Sequence, residues 1–140
     1  MLARLGPEHR AVNTPRGTLS IWLPRPGLLV TQAIGHIATA QTHAIIAAGD
    51  ETRGEGTLLA FHNFFDVQTY DSAARTAMTA WGYRIRASVE HVHFAIGSRL
   101  VRMGISVASM ALGGMLVAYD ELGPFERELE DALSRPRVRG

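Results

Sequence analysis

The sequence predicts an α/β domain: a mixed five-stranded sheet with about four helices, in the order β-β-α-β-α-β-α-β-α. Three observations predict it. Residues 19–23 alternate apolar and polar ahead of a turn carrying Pro24, Pro26 and Gly27, which marks the first arm of a hairpin. Leu58, Leu59, Ala60 and Phe61 form an apolar run without alternation, as a central strand covered on both faces does. From there on, short apolar runs alternate with stretches of helical spacing, and consecutive strand-helix-strand units favour parallel pairing.

Taken in order, residues 1–16 hold Pro7 and Pro15 and no periodicity, so an extended or mobile arm is expected, followed by one domain over residues 17–134 and a tail over 135–140. Leu19, Ile21 and Leu23 alternate with Ser20 and Trp22 in the first strand. The second covers residues 28–34, and Gly35 with His36 ends it. A helix is expected from about Ile37 to Ala48, with Gly49 as its C-cap, and residues 50–56 form a polar loop. The third strand reaches Phe61, or His62 at most. A polar and aromatic connection leads to Tyr70, and Asp71 or Ser72 is the natural N-cap of the second helix. Ala74, Ala77, Met78, Trp81 and Ile85 recur at helical spacing there, while Arg75, Thr79 and Arg86 fall on other faces. Val92, Phe94 and Ile96 alternate with His91, His93 and Ala95 in the fourth strand. Gly97 and Ser98 open a third helix through about Leu112, which Gly113 and Gly114 stop. Residues 115–119 make the fifth strand, and Pro124 opens a last helix striped by Phe125, Leu129, Ala132 and Leu133.

A chain of 140 residues is large enough to bury most of its apolar surface without a cross-link or a metal. It has no cysteine, which excludes disulfides, thiol catalysis and sulfur-ligated zinc, and fits a reducing compartment. The net charge of +1 gives no broad field for nucleic acid. Arg4, Glu8 and Arg10 interrupt the N-terminus, so no signal peptide is read and a cytoplasmic protein is expected. The longest uncharged run, residues 104–119, is too short for a spanning helix and carries Gly113 and Gly114.

The element order across roughly residues 18–133, together with Asp66, Val67, Gln68, Thr69, Tyr70, Asp71 and Ser72 at a strand-to-helix connection, resembles the STAS domain. This is the fold of anti-sigma factor antagonists and sulphate-transporter tails, and stand-alone bacterial STAS-like proteins are the nearer likeness. In anti-sigma factor antagonists the connection reads Asp-Ser-Ser-Gly, and a kinase modifies the second serine to switch partner binding. Asp71 and Ser72 match the first two positions, but Ala73 stands where the phosphorylated serine would be and Ala74 replaces the glycine. The resemblance therefore implies a regulatory module that docks without that phosphorylation. Ser72 and Thr76 remain as hydroxyls nearby, with Ser72 weighted toward capping.

The expected function is a non-enzymatic regulatory or protein-interaction module with no cofactor and no metal. Its partner surface is expected at Asp66, Tyr70, Asp71 and Ser72, with Arg75 and Thr79 exposed along the second helix. The plain structural role of Asp71 is a cap, and that of Tyr70 a buried ring with a satisfied hydroxyl. Ser98, Arg99 and Arg102 at the start of the third helix, with His36 at a strand end, are candidates to hold phosphate, sulphate or a phospholipid head group. Solvated arginines on a helix are the plainer reading. The third helix is apolar on more than one face, through Leu100, Val101, Met103, Ile105, Val107, Ala108, Met110, Ala111 and Leu112. It is either buried, or its spare face meets a protein partner or a second copy of the chain in a homodimer. A small-ligand or lipid carrier using that helix is the alternative function. His91 and His93 with His62 fall short of a metal site without a nearby acid. A hydrolase using Ser72 or Ser98 lacks the Gly-x-Ser-x-Gly elbow and an orienting acid.

Overall fold

Thirteen consecutive residues, Leu58–Tyr70, form the longest strand, and the rest of the molecule is arranged around it. The computed structural model describes residues 5–135, with the side chains of residues 107–112 left out of the description. Strands β1 (Arg10–Ala11), β2 (Gly17–Arg25), β3 (Leu28–Ile37), β4 (Leu58–Tyr70), β5 (Val89–Ile96) and β6 (Leu116–Tyr119) lie in that order across one sheet. β1, β2 and β3 pair antiparallel; β3 to β6 pair parallel. Helices α1 (Thr39–Arg53), α2 (Ser72–Ile85), α3 (Arg99–Leu112) and α4 (Leu122–Ser134) complete the chain.

The mixed α/β architecture with four helices is thus present, but the sheet has six strands rather than five. The added strand comes from the expected N-terminal arm. His9 and Val12 donate their amides to the Ile21 and Leu19 carbonyls (2.8 and 2.9 Å), and Leu5 is buried against the α4 side of the sheet. Apolar periodicity could not reveal β1, because both its residues are exposed and backbone pairing alone defines it.

Right-handed crossovers between neighbouring parallel strands place their helices on one face. Accordingly α1, α2 and α3 share a face over Leu29, Ala33, Leu58, Ala60, Phe64, Val92, Phe94 and Ile96. α4 returns across the other face, where Phe125, Leu129 and Ala132 meet Trp22, Leu28, Val30, Leu59, Phe61 and Ala95. Leu58 to Phe61 are all at most 3% exposed, so the unalternating run is a central strand sandwiched by both layers. Each of those apolar side chains contributes roughly 1.5–3 kcal/mol on burial for the larger residues.

Gly49 does not end α1, which continues to Arg53 and closes at Gly54 with φ +53°. An added Cβ at Gly49 would lie 2.4 Å from the Trp81 indole, so this glycine lets α1 and α2 approach mid-helix. Trp81 then donates its indole N–H to Asp50 Oδ1 at 2.8 Å. The third strand also runs past Phe61: residues read as a connection continue pairing with β3 up to Ile37↔Tyr70, through two register shifts. Asp66, Gln68 and Thr69 are exposed on this last stretch of β4, while Val67 between them is buried, and their polarity is why the stretch resembled a loop.

Candidate functional site

The carboxyl ends of β3 and β4 bring together His36, Thr69 and Asp71 with the starts of α1 and α2. His36 Nδ1 lies 2.8 Å from Thr69 Oγ1, and His36 Nε2 lies 2.8 Å from Asp71 Oδ1. Asp71 Oδ2 accepts from the Thr39 amide (3.0 Å) and the Thr39 hydroxyl (3.2 Å). Asp71 occupies the N-cap position of α2, but its side chain does not cap that helix. It caps α1 instead. The residue before α1 is Ala38, which has no side-chain oxygen to offer, so a carboxylate from the neighbouring crossover satisfies the orphan Thr39 donor. The His36 hydrogen bond, then those from Thr39, hold the Asp71 carboxyl below the usual carboxylate range.

Of the two expected cap residues, Asp71 stands at the N-cap position of α2 without a side-chain cap bond to it. Ser72 is the first residue of α2 and exposed, and its carbonyl accepts from the Thr76 hydroxyl at 3.1 Å. Ala73 is exposed beside it on the first turn. Asp66 is exposed on β4, paired with Ile34 in the ladder, its side chain in no described hydrogen bond.

Hydroxyl, imidazole and carboxylate in sequence have the composition of an activated nucleophile. Here the imidazole is buried, the carboxylate is shared with the α1 amide, and the two cavities described below include none of the three residues. The string joins two strand ends to two helix starts and acts as a clasp between them. Both His36 ring nitrogens are engaged in it, so His36 serves neither Ser72 nor Ser98 as a base.

Arg75 and Thr79 sit differently from expectation, and Tyr70 is half-buried, nearer the buried-ring reading. None is freely exposed: all three are partly buried and help line a cavity under α2 and α3. A Cβ on Gly104 would come within 2.5 Å of the Tyr70 hydroxyl and 3.3 Å of Arg75 Cδ, so α3 crosses directly over both side chains. The Thr79 hydroxyl donates to the Arg75 carbonyl at 2.9 Å. Helical periodicity put Arg75 and Thr79 off the main stripe, but α2 is contacted by α1 on one side and α3 on another, which widens its buried arc.

Ser98 Oγ accepts from the Val101 amide at 3.4 Å, Arg99 and Arg102 are exposed, and His36 is tied into the clasp. In α3, Val101 and Gly104 face inward while Leu100 and Met103 are 50% and 63% exposed. Met110 and its neighbours fall among the residues whose side chains lie outside the description.

The histidines separate by strand alternation. His62 pairs opposite Phe94 and His93 opposite Phe61, so His62 faces the α1–α3 layer while His93 faces α4. Among the described residues no group of three or more His, Asp or Glu is placed to hold a metal. His93 Nδ1 meets the Tyr119 hydroxyl at 2.8 Å and its ring stacks on Phe61 at 4.3 Å; burial lowers its pKa to about 4. His62 is wholly buried. Its Nδ1 is 2.7 Å from Thr31 Oγ1, its Nε2 has no partner among the described residues, and burial lowers its pKa to about 3.

The larger cavity, about 90 Å³, lies between the sheet and α1, α2 and α3. Its wall includes His62, Phe64, Phe94, Met78, Val101 and Ile105. A smaller space of about 10 Å³ sits on the α4 side near Trp22 and Phe125. Sequence spacing singled out α3 as unusually apolar, but could not show the cavity beneath it.

No protein-family model matches the chain, and no curated protein sequence does either. Among solved structures it is similar to a protein of Shewanella loihica PV-4 described as a DUF3478 family member with a SpoIIAA-like fold. The two share 13% identity and a TM-score of 0.61, over 87% of this chain and 98% of that one. The fold is accordingly SpoIIAA-like, that is, STAS-like. Among the described residues no helix is long and apolar enough to cross a membrane.

Proposed function

We propose that this protein is a non-enzymatic, cytoplasmic regulatory module that docks a protein partner through the surface made by the start of α2 and the outer face of α3. The carrying observation is the exposure of Leu100 and Met103 on a helix whose opposite side is buried through Val101 and Gly104. Large apolar side chains held outward on one face, beside the arginines Arg99 and Arg102, have the composition of a docking patch. Ser72 and Ala73 open the adjacent α2, which α3 contacts. Ala73 offers no hydroxyl at the position that phosphorylation uses in anti-sigma factor antagonists, so docking here proceeds without that switch.

In this reading the contact set is narrower than the expected one. Tyr70, Arg75 and Thr79 support the surface from beneath, and Asp71 positions it through the clasp. Leu100 and Met103 touch the partner, with Ser72 and Asp66 at the margin. Replacing Leu100 and Met103 with serine is expected to abolish capture of a partner from native-cell extract while leaving Tm within about 4 °C, because two exposed substitutions together lie within about 1 kcal/mol. Undiminished capture by the double variant would refute the surface.

A further inference from the structure

We infer that the cavity beneath α2 and α3 binds a small amphipathic carboxylate, with a short alkyl chain inside and the anionic head held at the mouth by Arg75. The inference goes beyond the docking reading and does not rest on it. The space measures about 90 Å³, and its wall is almost wholly aliphatic and aromatic. An apolar cavity of about 150 Å³ holds benzene, so this one suits an unbranched chain of roughly four carbons. Water needs several polar partners to occupy such a space, and this wall offers few.

The cavity is open on one side. Most of its wall is buried, while Tyr70, Arg75, Met78, Thr79 and Ile105 keep contact with solvent and mark the opening along the seam of α2 and α3. Arg75 is the one charged residue in the wall. Tyr70 stands beside it: a Cβ on Gly104 would lie 2.5 Å from the Tyr70 hydroxyl and 3.3 Å from Arg75 Cδ, so both side chains meet α3 at the same point.

What Arg75 lacks decides the chemistry. Asp71, one turn earlier, is at the spacing at which helical acid–arginine pairs form. Its oxygens face His36 and Thr39 instead. All thirteen acids of the chain lie among the described residues, and none forms an ion pair with Arg75. Among the described residues the sealed polar atoms without a partner are Arg25 Nε, Arg53 Nε and His62 Nε2. The Arg75 nitrogens and the Tyr70 hydroxyl are not among them, so a head group at the mouth can touch both. A planar guanidinium matches a carboxylate with two parallel hydrogen bonds, and the Tyr70 hydroxyl adds a further donor. A membrane phospholipid, with two long chains, exceeds a space of about four carbons.

The test is a methyl NMR titration of the full chain with pentanoate, 1-pentanol and acetate. The first two share a chain length and differ in charge, while acetate carries the head without the chain. Pentanoate is expected to shift the Met78 and Ile105 methyls saturably, leave Val30 on the α4 side unmoved, and bind about tenfold more tightly than 1-pentanol. Acetate is expected to bind at least about tenfold more weakly than pentanoate, for want of buried methylenes. Arg75→Gln is expected to remove the advantage of pentanoate while 1-pentanol binds as before, and Arg75→Lys to keep part of it. Ala60→Leu, which extends a buried side chain into the space, is expected to weaken both chains. Should a variant fail to fold, the three wild-type affinities decide. Equal affinity for pentanoate and 1-pentanol, acetate binding as tightly as pentanoate, an advantage that survives Arg75→Gln, or no saturable shift at Met78 and Ile105 would overturn the assignment.

Discussion

Asp71 shows how one side chain can occupy the position of a cap and perform that function for a different helix. Its backbone opens α2, its Oδ2 satisfies the first amide of α1, and its Oδ1 holds His36. The acid could be found in the sequence, and so could the helix start beside it. The α1 contact could not, because Thr39 and Asp71 are brought together only by parallel pairing of β3 and β4 up to Ile37↔Tyr70. Since the folded-state pKa of Asp71 lies below its ordinary value of 3.8, the folded state favours the carboxylate. The resulting stabilisation is full above that ordinary value and is lost as pH falls through the lower, folded value. Asp71→Asn is therefore expected to unfold at a lower temperature than the wild type at pH 7, with the gap closing in strong acid. Thermal melts over pH 2–7 measure this, and a gap independent of pH would contradict the role of the charge.

Among the elements, α1 and α2 are set by Gly49 and Trp81. Glycine inside a helix ordinarily costs about 1 kcal/mol against alanine. Here the missing Cβ is what allows the indole to lie against the α1 backbone and reach Asp50. Gly49→Ala is expected to lower stability, since overpacking at about 1–3 kcal/mol exceeds the propensity gain. Urea unfolding checks it: a higher midpoint for the alanine variant would show that Trp81 moves aside freely. Read from sequence, Gly49 had the position of a helix end, because spacing reports which residue types recur and not what a neighbouring helix brings against them. β4 illustrates the complementary case. Its buried half, Leu58 to Phe61, was identifiable from an unbroken apolar run, while its exposed half was hidden by Asp66, Gln68 and Thr69.

Over the whole molecule, two cores lie on opposite sides of one sheet, and each candidate site belongs to the α1–α3 side. The order of strands and helices was readable because alternation, helical spacing and turn residues agreed along most of the chain. Strand β1 and the cavity under α2 and α3 were not readable, for they depend on backbone pairing and on space left between elements. α4 covers the other face with Phe125, Leu129 and Ala132 fully buried, and its exposed Arg127 provides a control position far from α3 in the fold. The central claim is that the protein acts by docking through α3 and the start of α2. A photo-cross-linking amino acid placed at Leu100, compared in native cells with the same residue at Arg127, tests it most directly. The account predicts a discrete protein adduct from position 100 and none from position 127; adducts equal at both positions, or absent from position 100, would contradict it.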